Sequence, residues 1–180
     1  MNKTDIAVLG TGCFWCSEAI FKQLRGVISA IPGYAGGMIP DPSYEQVCTG
    51  NTGHAEVAQI EFDPGKISYE ELLEIFWNVH DPTSLNRQGI DVGTQYRSII
   101  LTTSQSQKEK AEKSLKKLED SHQYDRSVVT VIEPLSHFYR AEKPHQDYYV
   151  NNRDQPYCRL IISPKLQHLR KKYVAKLKPV

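Results

Sequence analysis

The fold can be predicted outward from residues 10–21, Gly10-Thr11-Gly12-Cys13-Phe14-Trp15-Cys16-Ser17-Glu18-Ala19-Ile20-Phe21. This stretch follows an apolar run at residues 6–9 and continues with helical spacing at Ile20, Leu24 and Val27, a pattern that predicts a strand, a glycine turn and the start of a helix. Cys13 is then at the turn, where unpaired backbone N–H groups and the helix dipole favour a thiolate. The pattern therefore predicts a reactive thiol, with a small buried hydrophobic residue as the alternative.

The composition favours one domain, residues 1–180, because 180 residues with 39% hydrophobic content can bury a core of their own. The 22 basic and 21 acidic residues leave a net charge of +1, which predicts neither a nucleic-acid nor a membrane partner. No apolar run approaches the ~18 residues of a transmembrane helix, and no signal-peptide core is found. We therefore expect a soluble, cytoplasmic monomer. The four unevenly spaced cysteines are typical of catalytic thiols in a reducing compartment.

Strand and helix patterns alternate along the chain. Strands are predicted at residues 6–9, 27–31, 54–62, 97–103, 128–132 and 157–162. Helices are predicted after Cys13, at residues 44–48, after the capping box that begins at Ser68, from about Ser104, and after Pro164. The sequence of residues 81–96 predicts a long functional or disordered loop, and residues 138–152 have no clear pattern. Because irregular loops join several strands, we predict an α/β (α+β) fold, a two-layer sandwich with a mixed β-sheet and packed helices.

The Cys13-Phe14-Trp15-Cys16 motif is compatible with three chemistries. It could be half of a zinc site, but Cys48 and Cys158 are isolated and no second pair follows. It could carry out thiol–disulfide exchange, with the first cysteine attacking and the second resolving. It could also provide a cysteine nucleophile that acts on another substrate with the help of an acid.

Glu56 is the candidate acid. It is at a loop-to-strand junction beside glycine and apolar residues, where loss of hydration would raise its pKa and let it donate a proton. The alternative is an exposed glutamate at the end of a strand, and the local pattern alone favours that alternative.

A resemblance to a known family strengthens the third chemistry. The segments that carry it are Gly12-Cys13-Phe14-Trp15, Tyr34-x-Gly-Gly37, Tyr44-Glu45-Gln46-Val47-Cys48, Gly53-His54-Ala55-Glu56, Phe76-Trp77-x-x-His80-Asp81-Pro82, Asp91-Val92-Gly93-Thr94-Gln95-Tyr96-Arg97-Ser98 and His145-Gln146-x-Tyr148. Together, from about Val8 to Cys158, they resemble the class A peptide methionine sulfoxide reductases. Enzymes of this class return methionine sulfoxide to methionine.

The resemblance implies a role for each residue of the site. Cys13 is the expected nucleophile on the sulfoxide sulfur, and Glu56 the acid that protonates the oxygen. Tyr44 and Tyr96 are the expected hydroxyl donors to that oxygen, and Asp91 organises the site through hydrogen bonds.

Phe14 and Trp15 are expected to form an apolar pocket for the S-methyl group. The implied reaction is specific for the S epimer and needs no bound cofactor or metal. The expected partners are oxidised proteins or peptides and an external dithiol reductant such as thioredoxin.

Two cysteines are candidates to resolve the sulfenic acid that attack would leave on Cys13. Many family members have glycine where this chain has Cys16, and others have a resolving cysteine in a Gly-Tyr-Cys segment, which Pro156-Tyr157-Cys158 partly matches. Helical spacing brings Cys16 close to Cys13 without movement of a tail, so Cys16 is favoured over Cys158. Cys48 is expected to be a buried structural thiol. A general thiol–disulfide oxidoreductase and a zinc-binding module remain the alternatives.

Overall fold

The computed structural model describes residues 4–179. Its strands are β1 (Asp5–Thr11), β2 (Val27–Ala35), β3 (Ala55–Phe62), β4 (Arg87–Gln88), β5 (Asp91–Val92), β6 (Ser98–Thr102), β7 (Val131–Pro134) and β8 (Phe138–Arg140). The main sheet has the order β7-β6-β1-β3-β2-β8, and β4 and β5 form a separate hairpin. β6 and β7 are parallel, whereas the other neighbours in the main sheet are antiparallel, so the predicted mixed sheet is confirmed.

Between residues 4 and 179, six α-helices accompany the sheet. They are α1 (Phe14–Phe21), α2 (Tyr44–Cys48), α3 (Tyr69–Val79), α4 (Gln105–Asp120), α5 (Tyr148–Asn151) and α6 (Ser163–Lys172). The predicted capping box of α3 is present, because Ser68 Oγ accepts the Glu71 N–H while the Glu71 carboxylate accepts the Ser68 N–H. Within residues 4–179, no helix has the length and apolar character needed to cross a membrane.

Alternation of side chains along the central strands places apolar residues on both faces of the sheet. On β1, Ala7 and Leu9 belong to the hydrophobic cluster that includes the buried sides of α1, α3 and α6, whereas Val8 belongs to a cluster on the opposite face. On β3, Val57 faces the same way as Val8, and Ala58 faces the helices. The same period of two directs Glu56 towards the helix side, where α1 begins.

The last predicted strand is wrong. Residues 158–162 form a π-helical turn that continues directly into α6. Cys158, Ile162 and Leu166 are four residues apart and all buried, as on one face of a helix. The β-branched run at positions 161–162 suggested a strand, but the four-residue spacing of the buried side chains is the stronger signal. The unassigned residues 138–152 contain β8 and α5.

Candidate active site

Cys13 lies at the turn between β1 and α1, as predicted. It is the N-cap residue of α1, with extended backbone, and its carbonyl oxygen accepts the N–H groups of Cys16 and Ser17 at 3.1 and 3.3 Å. The preceding Gly12 has φ +107°, and a Cβ atom there would lie 2.5 Å from Gln88 Cγ on the β4–β5 hairpin. Glycine is therefore required at position 12, because the positive φ angle disfavours a side chain and Gln88 occupies the space that a Cβ atom would need. The turn holds Cys13 with 6% of its surface exposed.

The two thiols of the motif interact with each other and with the hydroxyl of Tyr157. Burial raises the pKa of Cys13, and the hydrogen bond with Cys13 lowers the pKa of Cys16. The expectation of a thiolate on Cys13 itself therefore needs correction, because burial and the neighbouring Cys16 and Glu56 all raise its pKa. Cys16 is therefore the more acidic thiol of the pair, and the Tyr157 hydroxyl oxygen lies beside both sulfurs.

Glu56 is 1% exposed, so the alternative of an exposed glutamate at a strand end is wrong. Its Oε2 accepts the Phe14 N–H at 3.0 Å, which satisfies one of the free N–H groups at the start of α1. Burial raises the pKa of Glu56 to about 8, and the nearby Asp91 and Cys16 act in the same direction. The carboxyl group is therefore largely protonated at neutral pH and can donate its proton beside Cys13.

Phe14 and Trp15 lie in an aromatic cluster over the start of α1. Trp15 stacks on Tyr148 with ring centroids 3.6 Å apart and planes inclined by 5°, and its Nε1 donates to His145 Nδ1 at 3.2 Å. Phe14 is fully buried and lies 5.6 Å, centroid to centroid, from Tyr34. The rings form a surface suited to an apolar group such as S-methyl.

The tyrosine hydroxyls near Glu56 remain donors across the ordinary pH range. Burial raises the pKa of Tyr44 and of Tyr96, and the negative charge of Glu56 adds to both effects. Tyr96 ends a 3-10 turn, residues 94–96, that precedes β6. Tyr44 begins α2, and its N–H donates to Glu142 Oε1 at 2.7 Å. Both predicted hydroxyl donors are thus close enough to Glu56 for its charge to affect their pKa values.

Asp91 reaches the thiols through a residue that the sequence analysis did not select. Its Oδ2 accepts the hydroxyl of Tyr157 at 2.5 Å, and that hydroxyl is also the one within reach of Cys13 and Cys16. The strand predicted at residues 157–162 gives Tyr157 no role in the site, whereas the structure places it in a helical segment. The sequence signal for a helical Tyr157 was the four-residue spacing of the apolar side chains that begins at the next residue, Cys158.

The two remaining cysteines lie in different environments. Cys158 is fully buried in the cluster that contains Cys13 and Cys16, and burial raises its pKa, an effect that the charge on Cys16 increases. Cys48 is exposed on α2, so the expectation of a buried structural thiol is wrong. Its side chain is within reach of the Tyr44 hydroxyl. All four cysteines have free thiols, and the described part of the chain holds no group of three or more His, Cys, Asp or Glu residues placed to bind a metal ion.

Comparison with known proteins gives consistent matches. A sequence profile described as Peptide methionine sulfoxide reductase matches residues 5–178. The protein named Peptide methionine sulfoxide reductase MsrA from Saccharolobus solfataricus is 53% identical over 174 residues, covering 97% of each chain. A protein of the same name from Thermus thermophilus is 50% identical over 175 residues, 97% of this chain and 98% of that protein. The reduced form of Mxr1 from Saccharomyces cerevisiae has a TM-score of 0.79 at 34% identity, covering 87% of this chain and 90% of Mxr1.

The paired thiols at the start of α1 and these matches define a thiol-dependent oxidoreductase. The chain belongs to the class A peptide methionine sulfoxide reductase family, whose reaction is the thiol-dependent reduction of methionine sulfoxide. The α/β fold predicted from the sequence is confirmed by the similarity to Mxr1 and to methionine sulfoxide reductase A of Corynebacterium diphtheriae, which has a TM-score of 0.75 at 35% identity over 84% of this chain and 76% of that one.

Proposed function

We propose that this chain reduces the S epimer of methionine sulfoxide, free or within oxidised peptides and proteins, with Cys13 as nucleophile and Glu56 as acid. The observation that carries the assignment is the buried carboxyl of Glu56, with its pKa raised to about 8, bonded to the backbone N–H of the residue after Cys13. A sulfoxide oxygen is a strong hydrogen-bond acceptor and a poor leaving group, so an acid beside the nucleophile supplies what the reaction requires.

The first step transfers the sulfoxide oxygen to Cys13. The Cys13 sulfur attacks the sulfoxide sulfur while Glu56 protonates the oxygen, and the thiol proton of Cys13 passes to the Cys16 thiolate with which it shares a hydrogen bond. In the breakdown of the adduct, the hydroxyl moves from the methionine sulfur to the Cys13 sulfur: the original sulfur–oxygen bond and the newly formed sulfur–sulfur bond break, methionine leaves, and the new sulfur–oxygen bond makes Cys13 a sulfenic acid. The sulfoxide is reduced by two electrons and Cys13 is oxidised by two.

The surrounding residues orient the substrate in this proposal. Tyr44 and Tyr96 donate hydrogen bonds to the oxygen, since burial keeps both hydroxyls protonated. Asp91 accepts the hydroxyl proton of Tyr157 and so fixes that ring with its oxygen facing the two sulfurs. Phe14 and Trp15 receive the methyl group and keep water from the reacting atoms.

Cys16 is the proposed resolving residue. It is the third residue of α1 and is within reach of Cys13, so its sulfur can attack the sulfenic acid without movement of the chain end. A disulfide forms and water leaves. An external dithiol such as thioredoxin then reduces the disulfide, and no bound cofactor takes part. Mxr1 of Saccharomyces cerevisiae has been solved in complex with Trx2, which supports a protein reductant for this chain as well.

We further propose that residues 1–180 act as one catalytic domain and as a monomer in the cytoplasm, where the enzyme repairs proteins after oxidative damage. Cytoplasmic dithiols would keep the four free thiols reduced between turnovers. No nucleic acid or membrane is involved in the proposed activity.

The decisive experiment is a single turnover with a methionine sulfoxide peptide, followed by mass mapping of the disulfide formed. Wild-type protein should yield a Cys13–Cys16 bond, and Cys13→Ser should form no methionine. Full activity of Cys13→Ser would refute the proposal. A Cys13–Cys158 bond would instead assign resolution to Cys158. Reduction of insulin disulfides faster than of the sulfoxide would favour a general thiol–disulfide oxidoreductase.

A further inference from the structure

A second buried glutamate, Glu18, lies two residues after Cys16 on α1 and takes no part in the proposed chemistry. Its side chain is 2% exposed, and its Oε1 accepts the N–H of Asp147 at 2.8 Å and the ammonium group of Lys22 at 2.7 Å. Lys22 also contacts Asp147 Oδ1 at 2.5 Å. The three residues form a closed triangle between α1 and a segment about 125 residues later in the chain. We call them the Glu18 triangle.

The Glu18 triangle is attached to one of the rings of the aromatic cluster. Asp147 has φ 54° and ψ 31°, a left-handed conformation that L residues other than glycine seldom adopt. This conformation turns the chain so that the next residue, Tyr148, begins α5 and stacks face to face on Trp15. A backbone conformation of this kind persists when neighbouring contacts hold it in place. Here the contacts are those made to Glu18 and Lys22.

The other end of the same segment is also anchored. Glu142 accepts the Tyr34 hydroxyl at 2.6 Å and the Tyr44 N–H at 2.7 Å. Between the two anchors, His145 accepts the Trp15 indole N–H. Residues 142–148 therefore span the aromatic cluster, and the Glu18 triangle bonds Asp147, near the far end of this segment, to α1 beside the stacked pair of Trp15 and Tyr148.

We propose that Glu18 and Lys22 are positioning residues for substrate binding, which hold Tyr148 against Trp15 and thereby set the orientation of the Trp15 ring in the methyl pocket. The inference rests on the proposed function of Trp15. Neither residue contacts the reacting atoms, so the triangle governs how well the substrate is held and not the chemical step. Loss of the triangle weakens binding of methionine sulfoxide and leaves the rate of oxygen transfer at saturation unchanged.

The first test replaces Lys22 with Met, which keeps the aliphatic stem and removes the charge. We expect KM for a methionine sulfoxide peptide to rise by about three- to tenfold, the value of one aromatic contact, with kcat unchanged. Lys22→Arg should retain the wild-type KM, because a guanidinium can bridge two carboxylates. The matched control is Lys176→Met, which removes an ion pair of 2.9 Å with Glu71 on α3. Its KM should equal that of the wild type.

The second test asks whether Lys22 acts through Tyr148. In a Tyr148→Ala background the stacked ring is already absent, so Lys22→Met should add no further rise in KM. Indole fluorescence provides an independent measurement, since Lys22→Met should change the emission of the wild type but not that of Trp15→Phe. Additive effects on KM, a fall in kcat alone, or an unchanged KM in Lys22→Met would each overturn the inference. Activity lost in Cys13→Ser but unaffected in Lys22→Met would leave the proposed function standing and reject the triangle's role.

Discussion

Two buried glutamates contact α1, Glu56 at its first turn and Glu18 in its second half, and their carboxyl groups have opposite surroundings. At the first turn, Glu56 accepts one N–H group, and the nearby Asp91 and Cys16 raise its pKa further. Towards the other end, burial also raises the pKa of Glu18, but the Lys22 ammonium works against that effect at 2.7 Å. Burial alone does not determine the role of a carboxyl group. The presence of a cation makes Glu18 an ionic anchor, and its absence makes Glu56 an acid.

Replacing Glu56 by Gln is expected to have the largest effect. The amide keeps the shape and can still accept the Phe14 N–H, but it cannot protonate the sulfoxide oxygen. The single-turnover rate should fall by about 10²- to 10⁴-fold, the usual contribution of a general acid. Circular dichroism should show an unchanged fold. Glu109→Gln, on the exposed face of α4, is the matched control and should retain the wild-type rate. A Glu56→Gln rate within threefold of the wild-type rate would show that Glu56 is not the acid of the reaction.

Replacing Glu18 by Ala should lower the stability of the protein. Glu18→Ala leaves the Asp147 N–H without its acceptor and Lys22 with the exposed carboxylate of Asp147 as its remaining partner. We expect the free energy of unfolding to fall by about 1–3 kcal/mol, the cost of leaving a buried polar group unsatisfied. Urea denaturation measures the change. A loss below about 0.5 kcal/mol, which is typical of surface substitutions, would show that Glu18 is not an anchor.

The pH dependence of the reaction separates the two carboxyl groups further. Because the pKa of Glu56 is raised to about 8, its acid form predominates below that pH and its population falls about tenfold per unit above it. The rate of sulfoxide reduction should therefore decline above about pH 8, and this decline should be absent from the residual activity of Glu56→Gln. Single-turnover rates between pH 6 and 10 provide the test. A plateau from pH 8 to 10 in the wild type would contradict the assignment of Glu56 as acid.

The contrast also shows which parts of the molecule the sequence could predict. Cys13 was placed correctly because a strand, a glycine turn and a helix start are local patterns. The apolar neighbours of Glu56 make it a candidate acid, but the local pattern alone favours an exposed glutamate, and the role came from the family resemblance. The burial of Glu56 depends on α1 packing over β3, which no local pattern encodes. The role of Asp91 required Tyr157, which is 66 residues later and was assigned to a strand that is in fact helical. The Glu18 triangle was not predicted at all, since 129 residues separate Glu18 from the backbone N–H of Asp147.

The smallest expected effect distinguishes the side chain of Asp147 from its backbone. Asp147→Asn removes an ion pair whose carboxylate is 53% exposed, while asparagine tolerates the left-handed backbone and its N–H can still donate to Glu18. We expect a loss below about 1 kcal/mol in the free energy of unfolding, which diminishes further in high salt. Urea denaturation at two salt concentrations measures it. A loss as large as that of Glu18→Ala would mean that the side-chain ion pair, and not the backbone N–H bound to the buried carboxylate, is what fastens residues 142–148 to α1.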